Sequence, residues 1–382
     1  MTKRQPTLPS DPDFEDLVAH RDAACISVYL PVEHGPATPL NGVRIDSVLH
    51  DCHRGLVRQG VAGETRGELL APLERWLRDE RCWQAASGGV AIFRSTTINR
   101  RYILPVRLPL RGVVADRFYV KPLFRLGGSR ARFYVVALQL GRVRLYEATP
   151  GRIDELDLTG VRPDSIALAT STDAERHPDE VGSVATDEGA SGSGDDLAEL
   201  PGKLGRFLRI VGDRLVERVS EEPAPIVLVG EEQLVTVFRE AACDLDLVEG
   251  AVLTNPAGMT EAELLAASWP IAKPRVHELR LAAVARAQRL EGSLLISHDV
   301  EEILLAADEG RLDALFIPQG HSLWGRLDRS AQAVEVLDEK RPGAVDLYDE
   351  AAARSVLSGA DVFVVDPSNV PGGADLAATF RD

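Results

Sequence analysis

A thirty-residue stretch of this chain, Ser171 to Leu200, carries no hydrophobic period. It holds nine acidic residues, one basic residue (Arg176) and the small-residue core Gly189-Ala-Ser-Gly-Ser-Gly194. Neither an amphipathic helix nor a half-buried strand can form where apolar residues recur at neither 3.6 nor 2. The stretch interrupts an otherwise foldable α/β segment and leads into an apolar helix pattern, Phe207-Leu-Arg-Ile-Val-Gly-Asp-Arg-Leu215. An insertion of this length inside a compact domain is a functional loop or a disordered one.

The 382 residues set an expectation of two or three domains, with 45% hydrophobic and 27% charged residues, as in ordinary soluble proteins. No run approaches the roughly 18 apolar residues of a membrane span, and the N-terminus shows no apolar signal region. Cys25, Cys52, Cys82 and Cys243 are widely spaced, which favours a reducing compartment, the cytoplasm, over a disulfide framework. The net charge of −16 is unevenly spread: residues 1–130 carry +5, the remainder −21, and the 171–200 stretch alone −8. Overall acidity argues against indiscriminate nucleic-acid binding. It leaves room for a locally basic face, because screening confines each charge to roughly 10 Å.

The pattern predicts a mixed α/β (α+β) chain in three domains: 1–128, 129–270 and 271–382. In the first, Asp13 to Val18 reads as a short helix and Cys25 to Pro31 as a strand. Val43 to Gln59, with Val43, Val48, Leu49, Leu56 and Val57 apolar, and Leu69 to Trp83 read as helices. Gly89–Arg94 and Tyr102–Val106 read as strands, and Gly127-Gly128 as a break. The second opens with a hairpin, Arg132–Leu138 and Arg142–Glu147, with a third strand at Ile153–Leu158. After the acidic stretch come a helix from Lys203 to Val219, the apolar strand Pro225–Gly230 and a helix from Glu231 to Ala242. This order suits a parallel, helix-covered sheet. The third begins after Trp269-Pro270, with helices at Arg275–Leu290, Ser297–Ala307 and Leu347–Leu357 and strands at Ala314–Pro318 and Asp361–Val365. Pro367 to Gly373 reads as a turn onto a C-terminal helix.

Between Arg94 and Arg130 lie nine cations: Arg94, Arg100, Arg101, Arg107, Arg111, Arg117, Lys121, Arg125 and Arg130. They face one acid, Asp116, with aromatics interleaved. Arginine offers bidentate phosphate contacts and aromatics offer stacking platforms, so Arg94, Arg100, Arg101, Arg107, Arg111, Arg117 and Lys121 are candidate RNA contacts. The competing reading is a solvated arginine face. His50-Asp-Cys-His53 lies in a helical run whose side chains diverge and offers no tetrahedral zinc set, so no metal is expected. No Walker A loop, dinucleotide-binding glycine pattern or Gly-x-Ser-x-Gly turn occurs, and no cofactor is expected. His321 and Trp324 fall in a turn after a strand. They are candidate partner anchors, although a loop tryptophan more often packs on its own domain.

Read in order, several short elements resemble bacterial relatives of the archaeal and eukaryotic class I release factors and Pelota. They are Ser27-Val-Tyr-Leu-Pro31, the hairpin 133–147, Pro225–Gly230, Asn255-Pro256, Trp324-Gly325 and Pro371-Gly-Gly-Ala-Asp-Leu-Ala-Ala378. The resemblance implies an N-terminal domain facing the decoding centre and an RNase H-like middle domain. It also implies a C-terminal domain like a ribosomal kink-turn RNA-binding protein. By the same resemblance the partners are the ribosome, at the rRNA of its A site, and a translational GTPase; no membrane partner is implied. Catalytic members of the family carry a Gly-Gly-Gln tip on a middle-domain loop before a long helix. Here that place falls in 171–200, nearest at Gly192, Ser193 and Gly194, and the stretch contains no glutamine. A loop of net charge −8 would meet a dense field of rRNA phosphates, where like charges repel. The expectation is a non-catalytic A-site factor in ribosome hibernation or rescue. The alternatives are a peptidyl-tRNA hydrolase with a variant loop and a non-ribosomal adaptor on the same fold.

Overall fold

The structure is a computed structural model. It describes residue 9 and residues 11–32, 39–79, 88–104, 106–126, 131–140, 142–158, 195–242, 244–328, 333–341 and 343–381. Its packing divides into two compact units. Unit 1 comprises 1–131, 150–152 and 278–382, and unit 2 comprises 132–149 and 153–277.

Unit 1 begins with α1 (Asp11–Ala19), β1 (Arg21–Pro31), α2 (Pro39–Arg58), α3 (Gly63–Arg78), β2 (Gly89–Arg94), β3 (Asn99–Leu104) and β4 (Arg111–Arg117). The strands form one sheet in the order β3-β2-β1-β4, antiparallel throughout. Both faces of this sheet are covered, so β1 is buried without a break from Ala24 to Leu30 rather than alternating with solvent. Ile26, Val28 and Leu30 pack on α2 and α3, through Ile45, Val48, Cys52 and Leu56 and through Leu69, Leu73 and Leu77. Cys25, Tyr29, Ala91 and Phe93 face the other way, into a core shared with the C-terminal part of the unit. The apolar seam of α2 therefore differs from the expected one: Val43 and Val57 are exposed.

Unit 2 carries β5 (Phe133–Gln139), β6 (Arg142–Thr149), β7 (Arg152–Leu156), α4 (Asp195–Val219), β8 (Ile226–Gly230), α5 (Glu232–Ala241) and β9 (Leu247–Leu253). The hairpin forms in the register Phe133↔Ala148 to Gln139↔Arg142. β8 lies parallel to β5, and β9 parallel to β8, giving the order β7-β6-β5-β8-β9. Leu208, Val211 and Leu215 of α4 and Leu234, Val235 and Phe238 of α5 cover this sheet. The helix starts at Asp195 rather than Lys203, so the last residues of the acidic stretch are helical. The rest of that stretch, including Gly192, Ser193 and Gly194, lies outside the described residues.

α6 (Glu261–Arg289) runs through Pro270 and Pro274, where the sequence suggested a break. A proline inside a helix forfeits one backbone bond. Full burial of Leu264, Ser268 and Ala272 on neighbouring turns holds this helix to its course.

Unit 1 resumes with β10 (Ile296–Ser297), α7 (Val300–Asp308), β11 (Leu312–Pro318), β12 (Trp324–Asp328), β13 (Ala333–Leu337), β14 (Val345–Asp346), α8 (Leu347–Leu357), β15 (Asp361–Val365) and β16 (Ala377–Phe380). One sheet has the order β10-β16-β11-β15, and a smaller one β13-β12-β14. Two expectations need correction. Trp324 opens a strand rather than sitting in a turn. The C-terminal segment forms β16, antiparallel to both β10 and β11, not a helix. Its alanines carry helical propensity, but pairing on both edges in a buried slot overrides it. The fold class is mixed α and β, as expected. Among the described residues no helix is long and apolar enough to cross a membrane.

Candidate functional site

The basic segment is broken up by the fold. Arg94 donates to the carbonyls of Leu69 (3.1 Å) and Glu68 (3.0 Å), tying β2 to α3. Arg100 binds Asp13 and Asp16 of α1 at 3.1 and 2.7 Å. Arg101 is exposed and lies 5.5 Å over the Trp76 ring. Arg107 is exposed. The side chains of Arg125 and Arg130 lie outside the described residues.

Arg117 and Lys121 leave the expected RNA surface altogether. Arg117 is 5% exposed and pairs with Asp349 at 2.5 Å and Glu350 at 2.7 Å. Lys121 pairs with Asp346 at 2.5 Å and donates to the His321 carbonyl at 2.6 Å. The reason is local. Asp346 caps α8, and Asp349 and Glu350 fill its first turn, where the helix dipole favours negative charge. Buried there, these carboxylates need cations, which the end of β4 and the turn after it supply. Asp349 also accepts the amides of Val120 (2.9 Å) and Lys121 (2.6 Å). Burial alone would raise the Glu350 pKa; the charges of Arg117 and Arg354 outweigh it and hold the carboxyl below its usual range. For Lys121 burial wins over Asp346 and pushes the ammonium pKa down. Tyr119 joins the network by donating to Asp346 at 3.1 Å and accepting from Arg111 at 2.7 Å.

Above this network opens a cleft of about 550 Å³. Arg54 and Arg58 line it from α2, Arg111 from β4, Trp324 from β12, and Lys340 and Arg341 from the segment after β13. Lys340 sits 4.8 Å over the Trp324 ring, and Arg111 lies 5.2 Å over that of Tyr119. Of the expected basic residues Arg111 and the buried, ion-paired Arg117 reach the cleft. Four others were missed: Arg54 and Arg58, one helical turn apart, and the neighbouring pair Lys340 and Arg341. The i, i+4 arginine spacing was the available signal. Nothing in the sequence announces that the two segments meet.

Trp324 is half-buried against Lys340, and the exposed His321 contributes its carbonyl to Lys121. The two histidines of the 50–53 run point outward, while Cys52 is buried and its thiol pKa is pushed up to about 12 by desolvation.

Three of the motifs read from the sequence have a structural role here. Asn255 caps a turn by accepting the Ala257 amide at 2.9 Å. Ser27 Oγ accepts the Tyr119 amide at 2.9 Å. Gly325 leaves room for Leu347: a Cβ there would lie 2.5 Å from Leu347 Cδ1. Residues 132–311 match the model of bacterial archaeo-eukaryotic release factor family 3. Over that segment the chain is similar to the bacterial relatives of the archaeal and eukaryotic release factors. Among solved structures, Archaeoglobus fulgidus Pelota is similar at 11% identity over 100% of this chain and 98% of that one, with a TM-score of 0.31. The archaeal translation termination factor aRF1 shares 13% identity over 98% of each chain, with a TM-score of 0.24. Archaeal Pelota in a model of its ribosome-bound state with ABCE1 shares 9% identity over 99% and 96%, with a TM-score of 0.36. No curated protein matches the chain.

Proposed function

We propose that this protein is a ribosome-associated factor of the release-factor and Pelota type, acting at the A site in hibernation or rescue without hydrolysing peptidyl-tRNA. The observation that carries this reading is the family match over 132–311, combined with the loss of glutamine from the segment where the family keeps its tip. Peptide release requires water placed against the peptidyl ester among rRNA phosphates. Glycine backbone can approach that closely, but the nine carboxylates of 171–200 raise the electrostatic cost of the approach.

The three-domain organisation, 1–128, 129–270 and 271–382, belongs to the same reading. The order β7-β6-β5-β8-β9, an antiparallel hairpin followed by two parallel strands reached through helices, supports an RNase H-like middle domain. The 271–382 segment is then the kink-turn-protein-like domain that meets a translational GTPase, and the factor works in the cytoplasm. Exposed Arg101 and Arg107, rather than Arg117 and Lys121, are the RNA contacts of the N-terminal part.

Sedimentation of the tagged protein with 70S ribosomes, from growing and starved cells at moderate salt, tests the proposal. Co-migration with no release of labelled peptide from stalled complexes is expected. Absence from ribosomes in both states, or peptide release that changing Gly192 and Gly194 abolishes, overturns it.

A further inference from the structure

The cleft above Tyr119 gathers charged side chains from α2, β4 and the segment after β13. Its charges sort into two groups. Arg54 is bonded to Asp51 at 2.6 Å. Asp346 serves Lys121, Asp349 serves Arg117, and Asp116 is exposed at the rim. Arg58, Arg111, Lys340 and Arg341 form the second group, brought from three separate segments to one cavity. Lys340 bears a cost there: partial desolvation, then the charges of Arg111 and Arg58, hold its ammonium pKa down despite nearby Asp51 and Asp346. Cations collected at such a cost are stabilised by an anion that enters among them.

Two further features narrow the anion. A volume of about 550 Å³ lies in the range of small-ligand sites and exceeds what a single phosphate fills. Trp324 stands at the wall with the Lys340 ammonium 4.8 Å over its ring, a face that is uncovered when Lys340 turns to a phosphate. An RNA strand would be followed by cations trailing along an open groove; here they converge on one hollow.

We propose that this cleft binds a free nucleoside di- or triphosphate, its phosphates held by Arg58, Arg111, Lys340 and Arg341 and its base against Trp324. The inference is independent of the ribosome reading, because it is tested on the isolated chain. A phosphorylated RNA end offers the same phosphate chemistry, and the experiment separates the two.

Purified full-length protein is titrated calorimetrically with ADP, GDP, inorganic pyrophosphate and a short single-stranded RNA. Saturable 1:1 binding of ADP or GDP is expected, with weaker binding of pyrophosphate. The double variant Lys340→Gln/Arg341→Gln, both exposed, should weaken nucleotide binding by about tenfold or more with an unchanged unfolding midpoint, since each lost charge-assisted bond is worth at least about one decade. Trp324→Phe should weaken the nucleotides and leave pyrophosphate unaltered. Arg101→Gln, outside the cleft, should change nothing. No saturable binding of any nucleotide, binding indifferent to Lys340→Gln/Arg341→Gln, or binding of RNA alone would each overturn the proposal.

Discussion

Arg117 illustrates how a basic residue can be read correctly for chemistry and wrongly for place. Its guanidinium is shared between Asp349 and Glu350, and all three side chains are nearly inaccessible. Replacing it by methionine keeps the volume but takes the ion-pair partner from buried Asp349 and leaves Glu350 with Arg354 alone. Arg117→Met should lower unfolding stability by about 3–5 kcal/mol in urea titrations. The loss should be far smaller when Asp349→Asn and Glu350→Gln accompany it. Asp22 offers a pH test. Partial burial alone would raise its pKa, but the hydroxyl and amide of Thr96 and the amide of Ala23 outweigh it and hold the carboxyl below its ordinary 3.8. The stability it confers is therefore present above that value and is lost as pH falls through the folded pKa. Asp22→Asn should cost about 1 kcal/mol at neutral pH, its partly solvated setting keeping the figure low. The difference from the parent protein should vanish in strongly acidic urea melts.

Among elements, Trp324-Gly325 shows why a short motif can be structural. β12 lies tightly between α8 and its neighbour β13: a Cβ on Gly325 would meet Leu347 on one side and, at 2.7 Å, the Glu335 carbonyl on the other. Gly325→Ala should destabilise by about 1–3 kcal/mol, read as a lower urea midpoint, because backbone on one side and Leu347 on the other cannot both give way. The elements most legible in the sequence were those whose pattern is local. The hairpin 133–147, the strands 225–230 and 361–365 and the helix 347–357 declare themselves through alternation, apolar runs and capping residues. What escaped depends on partners distant in sequence. β16 is a strand only because β10 and β11 flank it, and α6 passes its prolines because its neighbours are buried. The seam of α2 runs through Ile45 and Cys52 because β1 and α3 are where they are. The cleft was illegible for the same reason, since residues 54–58, 111 and 340–341 are joined by folding alone. The charge of 171–200 and its missing glutamine needed no structure to be read.

At the scale of the whole molecule, charge is segregated: the first 130 residues are net basic in a chain of net charge −16. Such a chain should approach rRNA through a limited surface, and its affinity should fall steeply with salt. Reversing Arg101 and Arg107 to glutamate should weaken ribosome association and reduce the slope of log K against log salt by about 2, at an unchanged unfolding midpoint. A non-ribosomal adaptor would show neither effect. The central claim joins the release-factor family match to an acidic, glutamine-free segment in place of the catalytic tip. It is tested most directly by a cryo-EM map of the protein on 70S ribosomes carrying peptidyl-tRNA. The account predicts density in the A site with the N-terminal part toward the small subunit and the peptidyl ester intact. Density elsewhere on the ribosome, or an emptied peptidyl-tRNA beside residues 171–200, would contradict it.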